Sequence, residues 1–445
     1  MTAVPAFLHR WVVPALTALS ENPYLAAIRA GMVSVVPLTI IGGLFMVVAN
    51  LPVPGWEERL GPRWSQLLQV PVSATFGLLA VFVCFAIGYD LGRRRHQEAV
   101  VSATMATLVF LLIQVDLESQ TLVMDGLGSQ GLFTAILIAL ITVRTQEYFT
   151  AHAFVIRLPR NVPPIVYESF VSLSPMAFLV AVFWGIRFGL GVDINHHVQT
   201  ALSPLVFALN TLPGILVYAF LVTLLWSVGI NGDNAMDALV AGFFLQYLAA
   251  NVTALSQGQP LPYITAYGFF TVFVNVGGTG ATLALALIMW NSKEPGFRQV
   301  SRLSLPTQVF QINEPIFYGF PIVLNPIFMV PYILNALLLT TGTYLLMAAG
   351  LLQKPFINVP WTTPPILGHY LVTGGDWRAP VWGVASIALA MAVYYPFAKV
   401  AERQRPPGRG RRPGPRIVAG PLANENPRSL ATRPATQAIH PRERF

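Results

Sequence analysis

Glu314 is the only acidic side chain between Glu294 and Asp376, and it stands between Asn313 and Pro315 at the mouth of an apolar stretch. An ionisable group at membrane depth costs at least about 2.5–3.5 kcal/mol on insertion scales, so such a position signals function. Pro315 lacks a backbone donor and disfavours helix at the residue before it, which sets the carboxylate at a helix start or break. Two readings follow. Facing a cavity, a carboxylate accepts two or more hydrogen bonds and suits the hydroxyl groups of a ligand. Facing the interface, it caps a helix N-terminus.

A second candidate is the turn Trp226 to Asn234, WSVGINGDN, which gathers Asn231, Asp233 and Asn234 around glycines. Re-entrant, it lines a polar cavity; at the surface it simply ends a helix begun near Val206, and chemistry alone does not separate the two. The third is Asn275 with Gly277, Gly278, Thr279 and Gly280. Without Cβ atoms the backbone amides there can approach a ligand, or neighbouring helices can pack closely. Asp376, in TGGDWR, pairs with Arg378 or caps a helix. The single cysteine, Cys84, sits in an apolar run and reads as a small buried side chain. Neither a metal nor a cofactor is expected.

The elements that position these residues must cross a membrane. The 445 residues are 54% hydrophobic and 10% charged, with a mean hydropathy of +0.60; a soluble domain carries about a quarter charged residues. Ala30 to Trp56, Trp64 to Tyr89, Ser169 to Ile186, Ala238 to Ser292 and Pro315 to Gln353 contain no Asp, Glu, Lys or Arg. About 20 apolar residues make one crossing. The expected fold is therefore an all-α polytopic membrane protein of about ten transmembrane helices, with re-entrant hairpins in the C-terminal half. Met1 to Ser20 lacks the pattern of a cleavable signal, so the first span is expected to remain as an anchor.

Basic residues mark the cytoplasmic ends of short loops. Arg93 to Arg95 form one group, Arg144, Arg157 and Arg160 a second, Lys293, Arg298 and Arg302 a third, and Lys399 with the tail a fourth. Between them lie Asp116, Glu118 and Asp125, then Asp193, His196 and His197. This alternation predicts both termini inside, an N-terminal transmembrane half over 1–190 and a C-terminal half over 191–400. Proline and glycine interrupt the apolar runs of the second half, at Pro260, Pro262, Pro321, Pro326, Pro331 and Pro360 among others. Irregular backbone at membrane depth is tolerated where it is buried in protein or lines a wet cavity, so the second half is the expected binding half. Residues 401–445 carry ten Arg and three Glu, hence +7 of the formal +8. That segment is expected to be a disordered Arg/Pro-rich tail that touches anionic lipid. The basic pI belongs to it and is no sign of nucleic-acid binding.

NEPIFYGFPIVLNP (Asn313 to Pro326) resembles the signature of the lactose/cellobiose (diacetylchitobiose) family of phosphotransferase-system IIC permease components. Five further stretches agree in order: Asn22 to Gly43, Asn161 to Pro175, Leu224 to Asn234, Asn275 to Leu287 and Val359 to Arg378. The resemblance spans roughly residues 5 to 400. It implies a homodimer in the bacterial inner membrane, joined through the N-terminal half, that binds a disaccharide such as a β-glucoside in the C-terminal half. A phosphorylated IIB partner, itself charged by IIA, would phosphorylate the sugar on uptake. The family's motif glutamate, which contacts the accepting hydroxyl, falls on Glu314, and a neighbouring sugar contact falls on Asn313.

The family's GIHG turn is here GING, with Asn231 in place of a histidine. Asparagine donates and accepts hydrogen bonds but does not titrate near neutral pH. The candidate substrate-binding residues are thus Asn231, Gly278, Thr279, Asn313 and Glu314, with Glu314 the candidate catalytic group. Two other functions remain open at this point: a membrane sugar sensor without phosphotransfer, and an ion-coupled sugar carrier.

Overall fold

The computed structural model describes residues 22–49, 56–156, 164–320, 322–323 and 325–404. Helix α1 (Pro23–Ser34) begins where Asn22 accepts hydrogen bonds from the amides of Tyr24 and Leu25 and Pro23 occupies the first turn. It is followed by α2 (Val36–Ala49) and α3 (Trp56–Thr75), the latter broken at Gly61. Then come α4 (Leu79–Arg94), α5 (Ala99–Ile113), α6 (Leu132–Ala151) and α7 (Pro164–Trp184). Helix α4 is the axis of this part and packs on α1, α5 and α6. Ala80, Val83, Cys84, Ile87 and Leu91 are buried along it. A Cβ on Gly88 would sit 3.0 Å from Ala103 Cα, so the glycine is what lets α4 and α5 approach. Ser102 donates to Gln146 at 2.6 Å, a polar tie between α5 and α6 inside the apolar core.

The second half is more broken. Helices α8 (Ile194–Leu209) and α9 (Leu212–Ser227) meet at 78°, separated at Thr211, which caps α9. The span expected from Val206 to Trp226 is thus interrupted. Helix α10 (Gly232–Ser256) is followed by a π-helical turn, Phe269–Val274. Short pieces come next: α11 (Thr282–Met289), α12 (Pro295–Gln308) and α13 (Glu314–Gly319). After these, α14 (Pro326–Ala348), α15 (Pro365–Val372) and α16 (Arg378–Gln404) complete the described chain. Helix α9 packs on α14, and α16 packs on α11, α14 and α15. The halves meet where α10 lies on α1 and where Asn358 donates to Thr39 at 2.8 Å.

Among the described residues the secondary structure is helical apart from one isolated bridge, Val115 to Leu122. Seven helical stretches there are long and apolar enough to cross a membrane, or eight if the bent α8–α9 pair is one span. The expected count of ten is not reproduced. The apolar runs of the second half are cut by proline and glycine into helices such as α11, α13 and α15, and α5, though apolar, has 15 residues. Met1 to Ser20, the stretch read as lacking a cleavable signal, lies outside the described residues, as does the tail beyond Gln404.

Loop residues that the charge pattern grouped are neighbours in space. Asp90 pairs with Arg93 at 2.9 Å and with Arg94, while Glu147 pairs with Arg144 at 2.8 Å and Arg95 at 3.7 Å. Elsewhere, Arg187 donates to the carbonyl of Ile113 and Asn195 to Gln114. In the exposed loop between α5 and α6, Ser119 donates its hydroxyl and amide to Asp116, which holds that carboxyl below its usual range. Asp376 both pairs with Arg378 at 2.9 Å and accepts from the Gln353 amide.

Candidate functional site

Three separate stretches converge: the turn before α10, the glycine loop before α11, and the segment Gln311–Glu314 before α13. Asp233, in the first turn of α10, is the hub. Its Oδ2 accepts from Trp226 Nε1 at 2.8 Å and from Thr279 Oγ1 at 2.5 Å, and its Oδ1 accepts from Asn275 Nδ2 at 3.2 Å. Hydrogen bonds to a charged group contribute about 1.5–3 kcal/mol each, so this carboxylate fixes the turn to the glycine loop.

The loop is held on its other side as well. Gln311 Oε1 accepts the amides of Gly277 at 2.8 Å and Gly278 at 3.1 Å. Asn313 donates to the Thr279 carbonyl at 3.0 Å, and the Tyr394 hydroxyl donates to the Gly280 carbonyl at 2.7 Å. Gly278 has φ +99, and a Cβ there would stand 2.5 Å from Asn313 Cβ. Glycine is therefore required twice over, by backbone conformation and by space. Gln311 itself has φ +68. A left-handed non-glycine residue costs roughly 1–2 kcal/mol, a strain that its double acceptance offsets.

Each candidate named from sequence has a definite place. Asn313 and Thr279 are buried and bonded to each other's segment, and Gly278 lies between them. The Gly278 amide points at Gln311. Glu314 opens α13, is exposed, and makes no hydrogen bond among the described residues, so its carboxylate oxygens are free. Asn231 is the N-cap of α10: its Oδ1 accepts the Asn234 amide at 2.9 Å, which leaves its NH2 group as the available donor.

Asp233 was visible in sequence only as part of a polar turn, and Gln311 not at all; the signal for Gln311 was its place two residues before Asn313, just ahead of the helix break. Asn275 Oδ1 is buried here without a hydrogen-bond partner among the described residues. It is a place where a water or ligand hydroxyl would be stabilised. His369, also unforeseen, packs on Phe273 at 4.6 Å with Nε2 unpartnered. Among the described residues no group of His, Cys, Asp and Glu is arranged to hold a metal.

Residues 29–336 match the family model described as Phosphotransferase system, EIIC. The chain is 33% identical to the lichenan permease IIC component of Bacillus subtilis over 429 residues, 91% of this chain and 95% of that one. It is 34% identical to the cellobiose-specific EIIC component of Geobacillus stearothermophilus, covering 88% and 93% respectively. The crystal structure of the transporter ChbC, the IIC component of the N,N'-diacetylchitobiose-specific phosphotransferase system, superposes with a TM-score of 0.84 at 33% identity. That match covers 89% of this chain and 98% of ChbC. The matched family region takes in every segment that converges on Asp233 and the glycine loop up to α14. With full-length likeness in sequence and in fold, the chain belongs to the EIIC family of phosphotransferase-system sugar permeases, as a multi-pass membrane protein.

Proposed function

We propose that this permease component takes up a β-linked disaccharide of the cellobiose type, bound at the junction of Asn231, the 277–280 loop, Asn313 and Glu314. The observation that carries the reading is the free Glu314 carboxylate standing next to a loop whose own polar groups are engaged. A sugar hydroxyl donating to Glu314 would be oriented there, and the carboxylate would take its proton as a phosphorylated IIB partner delivers the phosphoryl group. Asn231 contributes a neutral donor rather than a second base. The names of the cellobiose and lichenan relatives support the sugar class, and membership of the family supports the IIB and IIA partners.

We further infer a homodimer joined through the N-terminal half, and an orientation with the Arg93–Arg95, Arg144 and Lys293 regions in the cytoplasm. Support for the orientation comes from Arg95 reaching Glu147 and from Ser292 bonding Glu402, which join regions the charge pattern assigns to one side.

The test is cellobiose uptake into vesicles containing the protein, with and without phosphorylated IIB. Accumulation of cellobiose phosphate that depends on IIB is expected. Uptake driven by a proton gradient without a phosphoryl donor would replace this reading with an ion-coupled carrier. Binding with no uptake in either condition would replace it with a sensor.

A further inference from the structure

Asp237 lies one turn beyond Asp233 on α10, on the same helix face. The two carboxylates are treated differently. Asp233 is saturated by three donors, whereas no hydrogen bond or ion pair closes on Asp237 among the described residues. Asp237 borders a small cleft with Tyr218, Thr265 and Tyr267, between α9, α10 and the 265–271 segment. The cation whose field reaches it is Arg29, on α1 of the other half. Arg29 has its own deficit: Nε and Nη2 are buried with no acceptor.

A guanidinium and a carboxylate thus stand on two packed helices, each lacking a partner, close enough to interact through space yet not in contact. A buried guanidinium without an acceptor is costly, and a carboxyl that meets it with good geometry offsets part of that cost. Packing that keeps them apart in one arrangement therefore favours a second arrangement in which they touch. Through α10, such a contact would set where Asp233, Trp226 and the glycine loop sit relative to the N-terminal helices.

We propose that Arg29 and Asp237 are a positioning pair: they form an ion pair between the two halves in a second conformation of the transporter, and that pair is needed for translocation and not for sugar binding. Neither Arg29 nor Asp237 is among the residues proposed to hold the sugar, and the test rests on that proposed function only through its choice of cellobiose as probe.

The experiment compares the wild-type chain with Arg29→Gln, Asp237→Asn, the exchanged double variant Arg29→Asp with Asp237→Arg, and Arg29→Lys. Cellobiose is the probe, followed by equilibrium binding and by the maximal rate of IIB-dependent uptake. Each neutralised variant is expected to lose about tenfold or more in maximal rate while its binding constant stays within about threefold, and the exchanged pair to recover most of the loss. Arg29→Lys, which keeps the charge without the fork, should fall between wild type and Arg29→Gln. An exchanged pair no better than the single variants, with Arg29→Lys as slow as Arg29→Gln, would overturn the proposal. So would binding that weakens in step with the rate, which would make Arg29 and Asp237 ligand contacts or merely structural groups.

Discussion

Glu314 and Asn231 carry opposite burdens. Glu314 has nothing to hold up in the fold, so Glu314→Gln should leave the thermal midpoint and the elution profile unchanged. It should weaken cellobiose binding or uptake by roughly tenfold or more, the worth of a charged hydrogen bond. Unchanged binding and uptake would make Glu314 a plain helix-start residue. Asn231, in contrast, is needed by α10, and losing an N-cap costs about 1 kcal/mol. Asn231→Asp keeps the cap acceptor and removes the NH2 donors. It is expected to melt like wild type and to bind cellobiose several-fold more weakly, whereas Asn231→Ala should lose both, as read by a melting curve beside calorimetry. Glu314 stood out in the sequence as a candidate because a lone charge in an apolar stretch is conspicuous without any knowledge of its neighbours. The bonds from Asp233 to Thr279 and from Gln311 to Gly277 span 46 and 34 residues. No local periodicity encodes a pairing of that range, so the hub and its partner went unrecognised.

At the scale of elements, the glycine loop and the helix breaks around it shape the candidate site. Two glycines with left-handed backbone make a controlled comparison. Gly278 (φ +99) faces Asn313, while Gly350 (φ +71) has nothing within 4 Å of a would-be Cβ. Gly350→Ala should cost only the conformational preference, about 1 kcal/mol. Gly278→Ala adds overpacking of about 1–3 kcal/mol and should abolish cellobiose binding as Asn313 is pushed off the Thr279 carbonyl. Equal effects of the two substitutions on melting and binding would show that Gly278 is not confined. The all-helical character followed from charge-free length alone. The number of crossings did not, because hydropathy counts apolar residues and does not register that proline and glycine divide them into pieces like α11 and α13, too short to span.

For the whole molecule, the charge pattern makes a directional statement. Gln120 lies in the exposed loop between α5 and α6, and His96 lies between α4 and α5 beside the Arg93–Arg95 group. The native Cys84 is buried, so an introduced thiol would be the reactive one. Gln120→Cys is expected to react with an impermeant maleimide on intact cells, and His96→Cys only after the membrane is opened. The reverse pattern would invert the topology. That both halves share an interface, with Asn358 bonded to Thr39 across 319 residues, was beyond sequence reading, since each half looked self-sufficient in hydropathy.

The loop at 277–280 has two amides on Gln311, two carbonyls on Asn313 and Tyr394, and its hydroxyl on Asp233. A segment tied on so many sides does not reshape itself around an arriving guest; it travels with whatever grips it. Sugar should then meet the same binding surface from either face of the membrane, and half-saturation in counterflow should be equal in the two directions. Such a protein is by itself an equilibrator. Under the proposed function, its one-way character would enter only with the phosphoryl group, which would arrive from a single side and leave the sugar charged and unable to return.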